Sequence, residues 1–174
     1  MHPKKLRFIA FNALGGAAIL GSYLHGILTK TEPGKALWGG VPQPLQPLYT
    51  VSMLTATAGF LKMFSYFHSQ DPDTARVFGG RFSLSSLYVP LGVIHVASSL
   101  WMPLTFKYLE SPSPAMWAAV RGVLLLTGAG ALTMIAAVAT TSPQKPGRTA
   151  ALIGACAFAF QTAVLDALVW PALY

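Results

Sequence analysis

Charge is what this chain has least of. Only 10% of its 174 residues are charged, and just five are acidic, against about 25% charged residues in ordinary soluble domains. A chain so poor in charge cannot coat a water-facing surface, which excludes a soluble globular enzyme and a disordered tail. Cysteine is nearly absent. Cys156 is the only one and lies inside an apolar run, so no intrachain disulfide can form and a Cys/His metal site is excluded. The signatures of soluble catalysis are also missing: no G-x-S-x-G elbow, no H-E-x-x-H, no phosphate-cradling G-x-x-x-x-G-K-[ST]. No pair of carboxylates stands ready for two-carboxylate hydrolysis. No catalytic residue is assigned. An enzyme using Asp166 or His95 as acid or base stays open, although no residue demands one.

What the chain does have is apolar length. Hydrophobic residues make up 53%, and the mean hydropathy is +0.53. The formal net charge of +7 does not point to nucleic acid, because the lysines and arginines are thinly spread with no basic patch interleaved with aromatics. A bilayer core needs roughly 20 apolar residues per helix. Five segments satisfy this, at about 8–28, 48–67, 84–106, 115–139 and 149–172. Backbone groups in lipid must pair within the segment, so all five are expected to be helices. The expected fold is all-α: one domain over 1–174, an integral membrane bundle of five transmembrane helices. The first span has a basic start but no A-x-A cleavage pattern after it, and is expected to stay uncleaved.

The connections read as loops. Residues 29–47 carry Pro33, Gly34, Gly39, Gly40, Pro42, Pro44 and Pro47, and residues 68–83 carry Asp71, Asp73, Gly79 and Gly80; both are compositions that break helices. Lys4, Lys5, Arg7, Lys62, Arg76, Arg81, Lys145 and Arg148 fall on one side of the spans, against Lys30, Lys35, Lys107 and Arg121 on the other. This bias puts the N-terminus inside and the C-terminus outside, in a bacterial inner membrane or an organelle membrane.

Ionisable residues within spans are costly and are site candidates by default. They are His95 in the third span, Arg121 in the fourth and Asp166 in the fifth. At 1.5 Å per residue, Arg121 and Asp166 lie at similar depths, about 9 and 7 Å outward of the midplane, so they can pair, directly or through a hydrogen-bonded intermediary; the alternative is that Arg121 snorkels to the headgroups and Asp166 makes a polar contact of its own. His95 lies near the midplane. Haem ligation by His95 with His25 or His68 is disfavoured because those two sit at opposite faces. A hydrogen-bonded pocket or structural histidine is the better reading. Ala151, Ala155, Ala159, Ala163 and Ala167 form an i+4 stripe, and Ala18, Ser22 and Gly26 form another; both are expected to admit close helix packing. Trp38, Tyr49, Trp117 and Trp170 cluster toward the outer face and read as an interfacial belt. Trp101 is the exception, because Pro103 follows it inside an apolar run and is expected to kink the third span there.

Three local patterns, in order, resemble those of the translocator protein (TspO) family. Pro47-Leu48-Tyr49-Thr50-Val51-Ser52-Met53 is similar to that family's P-V-W-T-V-L-Y. Trp101-Met102-Pro103-Leu104-Thr105-Phe106 is similar to its W-P-P-x-F-F, and Leu165-Asp166-Ala167-Leu168-Val169-Trp170 to its L-N-x-x-V-W. The resemblance covers about residues 30–172. Ser98 and Asp166 stand where the family has asparagines, and Gln43 stands near the place of a loop tryptophan. The resemblance implies a pocket enclosed by five helices with the first loop as its lid, lined by Tyr49, Met53, Ser98, Trp101 and Asp166, with His95 and Arg121 as further candidates. It also implies binding or transport of a porphyrin, another tetrapyrrole or a lipid. No cofactor is fixed; a porphyrin- or haem-like molecule would be the ligand. The partners expected are membrane lipid and a hydrophobic small molecule, with a homodimer or larger membrane complex open and no nucleic acid. The alternatives are an accessory subunit of a larger membrane complex and a small haem-binding membrane protein.

Overall fold

The computed structural model describes residues 2–31 and 33–174. Six helices account for most of them. Helix α1 is Pro3–Thr29, α2 is the short Pro33–Trp38 and α3 is Gln46–Ser69. Helix α4 is Tyr88–Glu110, led in by a 3-10 turn over Leu84–Leu87. Helix α5 is Pro114–Thr140. Helix α6 spans Arg148–Leu173, and its stretch Phe160–Val169 winds as a π-helix.

Local chemistry sets the ends. Proline stands in the first turn of α1, where the His2 ring accepts from the Lys4 amide at 3.3 Å. The Ser-Pro-Ser-Pro run resolves the same way: the Ser113 hydroxyl caps the Met116 amide at 3.2 Å and Pro114 opens α5. A proline at the first helical position costs nothing, because its missing N–H would have been unpaired there.

Four helices are long and apolar enough to cross a membrane: α1, α4 with its lead-in turn, α5 and α6. The remaining expected span, 48–67, corresponds to α3. That helix is 24 residues long, but Thr50, Ser52, Thr55, Thr57 and Lys62 thin its apolar content. Three of these hydroxyls are turned back on the helix: Thr50, Thr55 and Thr57 donate to the carbonyls of Gln46, Val51 and Met53. Their polarity is thus spent within the backbone, which hydropathy counts do not register.

The five long helices alternate in direction and stand in a ring. Neighbours around it are α1 and α4, α4 and α5, α5 and α6, and α6 and α3, while α3 and α1 meet at few points. The tightest crossing is α3 on α6. Here Gly59 and Gly154 lie backbone to backbone, and a Cβ on either would run into the other's carbonyl group. Ala151, Ala155, Ala159 and Ala167 of the expected stripe are buried. On α1 the expectation needs correction. Gly26 does meet Met102 and Phe106 of α4, but the other close approach is Gly15, against the His95 ring. Ala18 is exposed.

One end of the ring is closed by an apolar core of Met63, Tyr66, Phe67, Leu87, Leu91, Met134 and Val138. Over it lies a small antiparallel hairpin, β1 (Arg76–Val77) and β2 (Phe82–Ser83), within the loop expected to be irregular. Arg76 also bridges to Ser142 of the next loop at this end. Lys4 and His2 reach Asp73 at 2.7 and 3.1 Å, tying α1 to the same end. The Lys4 ammonium is the main influence holding the Asp73 carboxyl below its ordinary range.

Two outcomes follow for stability. Gly59→Val should lower stability by about 1–3 kcal/mol, the usual cost of overpacking. Gly21→Ala, whose new methyl would meet nothing within 4 Å, should not, and thermal melts in lipid nanodiscs distinguish the two. A carboxyl depressed by folding adds stability above its unfolded pKa and loses it as pH falls through the folded value. Asp73→Asn should therefore be less stable than wild type at neutral pH, with the gap closing below about pH 4 and shrinking in high salt.

Candidate functional site: an interhelical cavity

Past the Gly59–Gly154 crossing, α3 and α6 diverge and the ring encloses a cavity of about 580 Å³. All five long helices line it, together with Leu37 and Trp38 from α2 in the first loop. Its rim between α1 and α3 carries Ala13 and Leu20 on one side and Thr57 and Leu61 on the other, all exposed on the outer surface of the bundle. The cavity therefore opens sideways, through the weakest seam of the ring.

Helix α6 supplies the most polar wall. The π-winding widens the turn so that side chains five apart come together. Gln161 and Asp166 use this spacing: the Gln161 Nε2 donates to Asp166 Oδ1 at 2.7 Å. In an α-helix residues five apart diverge by about 140° around the axis, and the bond would not form. Gln161 is 4% exposed, and its Oε1 is buried with no hydrogen-bond partner. The Asp166 carboxyl is near enough to the Tyr23 and Tyr49 phenols for its charge to act on them.

Helix α4 supplies His95, Ser98 and Trp101, on one face by their three-residue spacing. The His95 ring packs on Gly15 and between Phe11 and Phe60, with centroids at 5.3 and 6.3 Å. Its Nδ1 is buried without a partner. His25 and His68 are not in the cavity lining, and among the described residues no group of three His, Cys, Asp or Glu side chains could hold a metal. Ser98 Oγ lies 3.4 Å from Thr127 Oγ1 of α5. The Trp101 Nε1 is buried and unpartnered, as is the Tyr49 hydroxyl of α3. Asn12 of α1 donates to the Phe8 carbonyl at 2.8 Å, leaving its Oδ1 buried and unpartnered.

The aromatic residues do not form the expected outward belt. Trp101 and Trp117 flank Trp170, with ring centroids 5.6 and 6.1 Å away, and the Tyr174 ring lies tilted against it at 4.6 Å. Together with Trp38, Tyr49 and Val41 they form an internal cluster that closes the second end of the ring. The Trp170 Nε1 donates to the Leu37 carbonyl at 3.1 Å, so α6 latches the first loop. Gly40 is part of this closure, since a Cβ there would strike the Leu173 carbonyl.

Of the residues singled out from sequence, Tyr49, Met53, His95, Ser98, Trp101 and Asp166 all line this one cavity. Arg121 does not. It is exposed on the outside of α5, and among the described residues it has no ion-pair partner. The Arg121–Asp166 pair is therefore wrong. The two match in depth, but their helices turn them to different sides, and the partner of Asp166 is an amide on its own helix. Gln161, Asn12 and Tyr23 were missed, because only ionisable side chains within spans were weighed. A buried amide in an apolar run carries the same signal.

Compared with known protein families, characterised proteins and solved structures, the chain has no significant match.

Arg121→Ala should change stability by no more than about 0.5 kcal/mol, as for an ordinary surface position. A cycle with Asp166→Asn should be additive. Gln161→Leu should cost about 1–3 kcal/mol, because it strips the carboxyl of its partner in an apolar setting. Melting curves of the four variants in nanodiscs check all three expectations.

Proposed function

We propose that this chain is a multi-pass membrane protein, with α3 as a fifth span, that binds or carries a hydrophobic or amphipathic small molecule between its helices. In this reading it is a divergent relative of the translocator protein family, and the ligand is of the tetrapyrrole or lipid kind. The N-terminus lies inside and the C-terminus outside. The cavity is the observation that carries the reading. Its volume, about 580 Å³, falls within the roughly 300–1,000 Å³ of small-molecule sites. Its walls have the composition such sites use, mostly apolar with a few converging polar groups.

Three further features support it. The first loop caps one end of the cavity and is held there by Trp170, which suits a lid. The seam between α1 and α3 faces lipid, so a molecule dissolved in the bilayer can enter without crossing water. The more basic end, with the N-terminal arm and the hairpin, matches the inside of the membrane. The cavity also favours a carrier over an accessory subunit, which would be expected to fill its interior with its own side chains.

Pyrene tests this directly, because it carries no headgroup and accepts excitation energy from tryptophan. In nanodiscs it should draw saturable energy transfer from Trp101 and Trp170. Gly16 lines the cavity, and a Cβ added there meets nothing within 4 Å. Gly16→Phe should therefore fill the cavity, weaken pyrene binding at least tenfold and leave the melting temperature unchanged or raised. Non-saturable transfer, equal in the two proteins, would mean that the cavity takes up no ligand.

A further inference from the structure

The electrostatic make-up of the cavity narrows the ligand further, provided that the proposed binding role holds, and it points away from those tetrapyrroles and lipids whose polar ends are carboxylates or phosphates. The lining includes one carboxyl group, Asp166, and neither lysine nor arginine. Arg121, the cation that sequence placed at the same depth, faces outward. The carboxyl receives a single hydrogen bond, from Gln161, although a carboxylate can accept about four. Beside it the Gln161 Oε1 is a second acceptor, buried and without a partner. The π-winding thus sets two hydrogen-bond acceptors on one wall, one of them charged when ionised; Gln161 Nε2 is the one protein donor bonded to the carboxyl and none is bonded to the Gln161 Oε1.

We propose that the cavity selects lipophilic molecules whose polar end is a hydrogen-bond donor, above all a protonated amine, and rejects those ending in a carboxylate or phosphate. An ammonium group against Asp166 and Gln161 would supply the donors these acceptors lack, and its charge would offset the carboxylate where water is excluded. The unpartnered Trp101 Nε1 and Tyr49 hydroxyl are donors and remain for a neutral acceptor further along the ligand, such as an ether or carbonyl. An anionic head could also satisfy those two donors. It would do so close to the Asp166 charge in a medium that screens poorly, and no cation lines the cavity to offset the repulsion. The apolar body would lie along Ile94, Phe60 and Phe158, toward the seam between α1 and α3.

Three pyrene probes that differ only in the head test the proposal: 1-pyrenemethylamine, 1-pyrenemethanol and 1-pyrenecarboxylic acid. Energy transfer from tryptophan is titrated at pH 7 in zwitterionic nanodiscs, with each probe's partition into protein-free discs subtracted. The amine should bind at least tenfold more tightly than the acid, with the alcohol between them. Asp166→Asn keeps the side-chain shape and should bring amine and acid to within about threefold of each other. Equal binding of all three to wild type, or tighter binding of the acid, would overturn the selectivity while leaving the cavity a binding site. Failure of all three and of plain pyrene to bind would overturn the binding role itself. If Asp166→Asn does not fold, the order of the three probes on the wild-type protein still decides the matter.

Discussion

The contact of two glycine backbones, Gly59 on α3 and Gly154 on α6, is the constraint on which the rest of the architecture depends. With no Cβ between them the two backbones come into direct contact. On one side of that point the apolar core of Met63, Tyr66 and Met134 fills the ring. On the other side the helices separate, and the space between them is the cavity. Interior side chains are otherwise packed to crystal-like density, so a void of this size needs a structural cause, and this crossing provides one. The π-stretch of α6 starts six residues beyond Gly154, where the helix has left its neighbour and has room to widen.

The two ends of the molecule are built differently. The end with the N-terminus is held by ion pairs and strand-like bonds: His2 and Lys4 on Asp73, Arg76 on Ser142. These are exposed and suited to water. The other end is held mainly by aromatic rings packed edge-on or tilted around Trp170, with a hydrogen bond from the indole to the first loop and an ion pair of Lys30 with Glu110. Rings packed in this way bury a large area while leaving their polar edges to find partners.

Much of this was legible in the amino acids. Long apolar runs and their proline-rich breaks gave the long helices to within a few residues, since hydrocarbon admits few other structures. Six of the seven residues named for a site converge on one cavity, because polar groups in an apolar run have few places to go but inward. Rotation about the helix axis was not legible. Depth follows from counting residues, but facing depends on winding, and the π-stretch alters the winding just where Asp166 lies. That is why a pair drawn between Arg121 and Asp166 failed although their levels agreed. The aromatic cluster was misread for a related reason: tryptophans near the ends of spans suit a lipid interface and an internal plug equally well, and only packing distinguishes them. The span expected at 48–67 is a helix of fitting length, but its hydroxyls, bonded to their own backbone, keep its hydropathy below that of the four apolar helices.

The wide winding of Phe160–Val169 also ties the site to the lid by arithmetic of the chain. An α-helical residue advances about 100° around the axis. Deleting one residue from this stretch would restore tighter winding and swing everything after it by about that angle, carrying the Trp170 indole away from Leu37 and Tyr174 away from Trp117. The acceptor wall and the closure of the chamber are therefore one piece of geometry: a sequence change that straightens the first also unfastens the second, even with every side chain left as it is.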